Sequence, residues 1–499
     1  MFRYVCPENV GMSSKNIKGY IELLEKSRLS THNIIIAKGN DILYENYWAP
    51  FHKDFLHRMY SVTKSYVSLA IGFLEQDKMI SLDDKMIKYF PVELQNQKDE
   101  NLCNQSIRDM LMMATAKPQE NWFREKPADR VQFYFANKKT DSRPSGTIFQ
   151  YDSGGSFVLG ALVERLTGMK LLEYLREKCL DDIGFSKEAT CLEVPGGHSW
   201  GDSGLLCTAQ DLLKTARFVM NHGIWNGKQL LNEEYIKMAT GKQIDNNITG
   251  VDSFDSQGYG YQFWITRQNS YFFNGMGCQL AVCVPDKDLI LIYNGDNQGN
   301  PLAKSIIVDN FFEMIVNNME NTPLPIDDTA VRVLKNYSNT LSLMTANGEE
   351  YSNFQNKING VYFTVKPNPM GITKFRLSFE GKSGKFEYTN EQGKKIIYFG
   401  LCENQINLFP QEGYSDEVAT VATKNIYYKC ATSAAWIEPQ KLFIKVQIID
   451  KYFGNLGITI GFRDNLAGIY MEKCAENFLN EYVGFASAIA NNRESVEQV

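Results

Sequence analysis

Two side chains able to generate a nucleophile lie three residues apart in "HRMYSVTKSYVSLAIG", residues 57–72: Ser61 and Lys64. A serine hydroxyl is a poor nucleophile at neutral pH. A lysine amine held against it in a desolvated site can take its proton, and a helix N-terminus favours the negative charge that results. If the segment is helical, the two residues share one face, a turn apart. Serine is also a common helix N-cap, and a chain of this length holds about two S-x-x-K matches by chance, so the spacing alone decides little. The pattern occurs once, and Lys64 leads into "SYVSLAIGFL", where a buried lysine without a purpose would be costly.

A second stretch with chemical potential is "FQYDSGGSFVLGALVERLTG", where Tyr151 and Ser153 stand at a loop tip before an apolar helical run. A tyrosine beside a cationic lysine can share proton transfer with it, and Ser153 can hold the lysine or a substrate carbonyl. Taken alone, Tyr151 reads more readily as a ring packed in a turn. "WGDSGLL", with Asp202 and Ser203, resembles the nucleophile turn of chymotrypsin-like proteases, but that arrangement needs an earlier histidine and aspartate in two β-barrels. The histidines are His32, His52, His57, His198 and His222; none has the required context, and His57 is expected at the surface or at a helix entry. There is no G-x-S-x-G elbow, Walker loop or H-E-x-x-H. The ten cysteines form no C-x-x-C pair and no metal-ligand spacing, so they are expected as reduced, mostly buried thiols, with no metal and no cofactor.

The elements that must position these groups are legible in outline. Ser13 or Ser14 caps a helix through Leu24, and "NIIIAKGNDILYENYW" reads as two strands turning at Gly39-Asn40. Residues 61–161 are mainly helix and loop, with a polar region from Lys117 to Ser145 placed as a wall or lid. "GYGYQFWI", "SYFFNG" and "CQLAVCVPDKDLILIYNG" read as successive antiparallel strands that the N-terminal hairpin could join, followed by a helix near Leu302 to Asn317. "NNMENTPLPIDDTA" marks a boundary. Beyond Glu350, short alternating segments such as "KFRLSFEG" and "KLFIKVQII" are separated by Gly or Asn, as in an all-β sandwich or barrel.

Composition narrows the function. At 499 residues the chain exceeds one ordinary core, and a net charge of −6 without long blocks gives no footprint for nucleic acid. No run of about 18 apolar residues and no basic, apolar leader occurs, so no membrane association and a cytoplasmic location are expected.

Order and spacing over residues 8–317 resemble the serine β-lactamase and penicillin-binding-protein superfamily, in its class C β-lactamase-like and esterase branch. The resemblance rests on "HRMYSVTKSYVSLAIGFLEQDKMISLDDKMIKYFP", "IRDMLMMAT", "FQYDSGGSFVLGALVERLTG", "SGLLCTAQDLLKTARFVMNHGIWNGKQLL", "GYGYQFW" and "NGMGCQLAVCVPDKDLILIYN". It implies Ser61 as an acylated nucleophile, Lys64 and Tyr151 as its proton-transfer partners, and the backbone N–H groups of Ser61 and Cys278 as oxyanion donors. Cys278 then matters for its N–H more than its sulfur. Ser153, Gly275, Met276 and Gly277 fall at substrate-binding positions. Two departures from the lactamase pattern fall here: Ser153 replaces an asparagine, and Gly275-Met276-Gly277 replaces Lys-Thr-Gly or His-Thr-Gly, removing the cation that helps hold a substrate carboxylate.

The expected architecture is α+β, a β-lactamase/transpeptidase-like antiparallel sheet flanked by helices with a helical subdomain. Residues 1–320 form the hydrolase domain, 321–344 a linker and 345–499 a β-rich domain, a sandwich or lipocalin-like barrel. The expected activity is hydrolysis of a small ester, amide or peptide through an acyl-enzyme, with β-lactam or D-amino-acid peptide hydrolysis and a non-catalytic sensor as alternatives. Oligomeric state stays open.

Overall fold

The computed structural model describes residues 2–491 apart from 96, 120, 126, 137–140, 413–424 and 476–477. The chain divides into two units, Met1–Ser342 and the residues from Leu343 onward.

The first unit is built on a seven-stranded sheet in the order Arg3–Tyr4, Asp41–Tyr47, Thr31–Lys38, Leu289–Gly295, Gln279–Val284, Ser270–Gly275, Trp264–Thr266. Its pairings are antiparallel except at one edge, where Arg3 and Tyr4 run parallel to Asp41 and Ile42, so the sheet is mixed rather than purely antiparallel. The hairpin at Gly39-Asn40 joins this sheet, with Ile35 opposite Ile292. Both faces of the central strands are buried, which is why "LILIYNG" is an apolar run without alternation. Against one face lie the helices Ser14–Lys26, capped by Ser13, and Ala303–Met314. Ile17, Tyr20, Ile21 and Leu24, spaced at i, i+3, i+4 and i+7, form the buried stripe of the first helix. Full burial of such a side chain stabilises by roughly 1.5–3 kcal/mol. Tyr20 also donates to the Ile307 carbonyl at 3.0 Å, tying the two helices together.

The alternate side chains of the same strands, Ile35, Ala281, Cys283, Ile290 and Ile292, are equally buried, and the helix Ala209–Met220 packs against these strands. The helical region centres on Thr63–Gln76, buried on all sides from Thr63 to Leu74, with Lys64, Ser65 and Ser68 among the buried residues. It packs against Ser153–Thr167 and Leu171–Leu175. Among residues 321–344, expected as a linker, Asp328–Ser338 is a helix within the first unit; Tyr44 and Ser338 share a hydrogen bond at 3.0 Å, and Lys15 pairs with Asp327.

The second unit is an all-β barrel. Ten strands from Tyr362–Val365 to Gly484–Ala490 form one sheet, which closes where Gly400 and Leu401 of Gly393–Leu401 run beside Ser433 and Ala434 of Lys429–Glu438. Closure removes most free edges. Phe363, Phe375, Leu377, Phe386, Ile444 and Ile458 fill its interior.

Candidate active site

The turn that carries Ser61 is held from below. Met59 N–H donates to the Leu205 carbonyl at 2.8 Å, and Arg58, fully buried, donates from Nε to the Ser203 carbonyl at 2.5 Å. The Arg58 guanidinium stacks 4.3 Å from the Trp200 ring and 4.7 Å from Tyr60. Tyr60 adopts φ 48°, a left-handed conformation unfavourable for a bulky residue, immediately before Ser61. Such strain persists only where packing overdetermines it, and the turn then projects Ser61, half-exposed, out of an otherwise buried segment.

Ser61 lies in a short 3₁₀ turn, Tyr60–Val62, that runs into the helix Thr63–Gln76. Its hydroxyl does not cap that helix. Instead Lys64 Nζ donates to Ser61 Oγ at 2.9 Å and to the Asp202 carbonyl at 2.7 Å. Lys64 is 1% exposed, so the amine has little contact with solvent. The ring of Tyr151 lies 5.0 Å from Lys64 Nζ, bringing the three groups read from the sequence together.

Tyr151 is placed by the helix Ser153–Thr167, which ends at Gly168 with φ 71°. Beneath it, the buried Asp152 carboxylate accepts from Thr115 Oγ1 at 2.8 Å and Tyr134 OH at 3.2 Å. Burial pushes the Asp152 pKa up, and these bonds pull it back. Gln262 locks this helix to its neighbours: its side chain accepts from Ser156 Oγ at 2.6 Å and donates to the carbonyls of Met110 and Leu111, while its own carbonyl accepts from Ser65 Oγ at 2.8 Å. It does so at φ 65°.

The other side of the site is the turn between Ser270–Gly275 and Gln279–Val284. A Cβ on Gly275 would overlap the Met59 carbonyl oxygen, so only glycine allows the strand end to approach the Ser61 turn this closely. Gly277 and Cys278 follow with φ 74° and 73°, and Gln279 Nε2 pins the turn by donating to the carbonyls of Met276 and Gly295. Cys278 is buried, and burial pushes its thiol up to about 12, leaving it unreactive as a nucleophile. Met276 is half-buried and contributes no charge. Ser153 is buried in the first turn of its helix.

Trp264 and Trp122 were not singled out by their sequence context, and Asp202 was named only within the protease-like "GDSG" turn. Trp264 stacks on Tyr151 with centroids 5.7 Å apart, and Tyr151, Ile244 and Trp264 are half-buried over Met113, Phe149 and Tyr259. The wall beside Tyr151 is therefore aromatic. "GYGYQFW" reads as a strand, yet only Trp264 begins one; the residues before it form a loop bridged to Ile244. From the polar region Lys117–Ser145, Trp122 packs on Phe157 at 5.3 Å, so this part of it forms a wall. His57, expected at the surface or at a helix entry, lies on the short strand His57–Arg58, is 1% exposed and shares a 2.8 Å hydrogen bond with His32. The protease-like "GDSG" turn does not assemble a triad: His198 pairs with Glu164 at 2.7 Å, and Ser203 is buried with its carbonyl on Arg58. All ten cysteines are free, and among the described residues no group of three or more His, Cys, Asp or Glu could hold a metal. No helix among the described residues is long and apolar enough to cross a membrane.

The beta-lactamase family model matches residues 20–304, more than half of the chain, and the chain belongs to that family. It is 25% identical over 269 residues to a 6-aminohexanoate-dimer hydrolase of Paenarthrobacter ureafaciens, spanning 50% of this chain and 67% of that protein. Among solved structures it is similar to a Bacillus anthracis protein provisionally named 6-aminohexanoate-dimer hydrolase, with TM-score 0.51 and 18% identity over 63% of this chain and 86% of that one. A Bacteroides dorei protein provisionally named β-lactamase matches with TM-score 0.51 and 14% identity, over 61% of this chain and 99% of that one. At these identities the structural matches speak for the β-lactamase/transpeptidase fold.

Proposed function

We propose that the protein is a serine hydrolase that cleaves uncharged, partly apolar esters or amides through an acyl-enzyme on Ser61. The observation that carries this reading is the convergence of a half-exposed serine, a buried lysine 2.9 Å from its hydroxyl and a tyrosine ring over that lysine. In the acylation step Ser61 Oγ bonds to the substrate carbonyl carbon. Its proton passes through Lys64 and Tyr151 to the leaving oxygen or nitrogen as that bond breaks. The N–H of Ser61, in the first turn of its helix and so without an intrahelical partner, and the N–H of Cys278 take the oxyanion. Water then bonds to the acyl carbon, the bond from that carbon to Ser61 Oγ breaks, and the same groups pass a proton from the water to Ser61 Oγ as the acid is released.

The substrate class follows from the walls. Tyr151, Trp264 and Ile244 present aromatic and apolar surface, and Met276 stands where a cation would hold a carboxylate. The curated relative from Paenarthrobacter is named for hydrolysis of the 6-aminohexanoate dimer, a linear amide, which supports amide cleavage but, since that dimer ends in a carboxylate, does not bear on the preference for uncharged substrates. A fluorophosphonate probe tests the reading. Labelling that is lost in Ser61→Ala and kept in Ser203→Ala supports it, whereas labelling that survives Ser61→Ala removes Ser61 as nucleophile.

A further inference from the structure

The lysine at the centre of this site does not stand alone in the protein interior. Asp202, whose carbonyl receives Lys64 Nζ, is fully buried, and its carboxylate accepts from Trp122 Nε1 at 3.1 Å. Behind Trp122 lies Arg130, 1% exposed, with its guanidinium 4.7 Å from the indole ring and Nη1 donating to the Trp122 carbonyl at 2.9 Å. Asp202 Oδ1 and Arg130 Nε and Nη2 have no hydrogen-bond partner among the described residues. A buried cation, a buried carboxylate and a buried lysine are thus connected through one tryptophan and one carbonyl.

Burial of one charge without another nearby is costly, so these three groups must be considered together. Burial pushes the Asp202 carboxyl up, and Lys64 and Arg130, in that order, pull it down. Burial likewise lowers Arg130, and Asp202 raises it. If Arg130 supplies the counter-charge of Asp202, Lys64 is not needed as an ammonium to neutralise that carboxylate. It can then take the Ser61 proton. Lys64 also meets the Ser61 hydroxyl and the Tyr151 ring, and Asp152, next to Tyr151 in the chain, is held by Tyr134 OH.

We infer that Arg130 and Asp202 are positioning residues whose opposite charges, both in contact with Trp122, set the proton occupancy of Lys64 and hence the pH range in which Ser61 is acylated. This rests on the serine-hydrolase reading above and adds to it two residues that touch no substrate. It makes opposite demands on two substitutions. Arg130→Met leaves Asp202 to be neutralised by Lys64, which keeps its proton to higher pH. Asp202→Asn leaves Lys64 facing Arg130 alone and disfavours its proton.

The test is the pH dependence of kcat/KM for an uncharged aryl ester, measured for the full chain over the range in which each variant stays folded by circular dichroism. The acid limb is expected to move up by about one pH unit or more in Arg130→Met and down in Asp202→Asn, and to stay at the wild-type position in Arg130→Lys. Rate lost by Arg130→Met at pH 7 is expected to return as the pH rises. A merely structural role would lower activity at all pH values without moving the limb. If Arg130→Met does not fold, the downward shift in Asp202→Asn decides. Limbs that stay in place, or that move in the same direction in Arg130→Met and Asp202→Asn, overturn the inference while leaving the hydrolase reading intact. Absence of Ser61-dependent turnover in the wild type overturns both.

Discussion

Gly275 passes the Met59 carbonyl so closely that the backbone of the Gly275–Cys278 turn and the backbone of the turn that carries Ser61 meet with no side chain between them. Met59 is itself fixed by its N–H on Leu205, so it cannot withdraw freely. Adding one methyl group at Gly275 must therefore push the Gly275–Cys278 turn away from Ser61. A misplacement of about 1 Å at such a site can cost 10²-fold in rate. Gly275→Ala is expected to lower kcat by at least about ten-fold with a smaller change in KM, and steady-state kinetics on an aryl ester measure the split. Unchanged kcat would mean that the turn does not hold an oxyanion donor.

Removing the proposed proton-transfer groups should leave a folded, silent protein. Lys64→Met keeps the length and apolar stem of a side chain that is already buried, and Tyr151→Phe keeps the ring on Trp264. Each is expected to reduce hydrolysis of an activated ester by about two orders of magnitude or more, as loss of a general base does, with the melting transition retained. Near-wild-type turnover in Lys64→Met would remove the lysine from the mechanism.

The residues that do the proposed chemistry were legible because their signals are local: Ser61 and Lys64 through one-turn spacing, Tyr151 through its position ahead of an apolar helix. The hairpin around Gly39-Asn40 and the alternating strand Lys374–Glu380 were legible for the same reason. Lys429–Glu438, "KCATSAAWIE", was not, because seven consecutive buried residues erase the two-residue period and Ala and Ser carry little strand preference. The Arg130–Trp122–Asp202 arrangement was also hidden. It joins Trp122 to Asp202 across 80 positions through a single side-chain bond, and no periodicity records such a contact. The buried His32–His57 pair, 25 positions apart on two strands, escaped for that reason too.

Substrate preference is expected to follow the missing cation. A charge-assisted hydrogen bond contributes about 1.5 to 3 kcal/mol, so its absence at Met276 costs roughly ten- to a hundred-fold in recognition of a carboxylate-bearing β-lactam. Uncharged acyl groups lose nothing there and gain the aromatic wall. Lys139, a candidate substitute cation, lies outside the described residues. Arg143, four positions further on, donates to Gln150 at 2.8 Å, and its Nε and Nη2 are shielded from solvent. Short-chain aryl esters should therefore show higher kcat/KM than benzylpenicillin or a chromogenic cephalosporin. Faster turnover of the β-lactams would defeat the argument from charge.

The His32–His57 pair gives a pH dependence of stability whose sign is set by burial. His32 Nδ1 and His57 Nε2 share one hydrogen bond, so one of the two nitrogens must accept, and Phe51 stacks on His32 at 3.9 Å. Burial holds His57 down to about 3, and burial together with its partner holds His32 well below the usual histidine range. Unfolding releases both imidazoles to ordinary values near 6.5. Below that pH the unfolded chain binds more protons than the folded one, so this contribution is full above about 6.5 and is lost progressively as the pH falls toward 3. Between pH 7 and pH 5 a single site so depressed loses about 2 kcal/mol. The urea midpoint of the first unit is expected to fall over that interval in the wild type and to fall less in His57→Gln, whose amide can keep the bond to His32 without titrating. An equal fall in both proteins would show that the pair is not held neutral in the folded state.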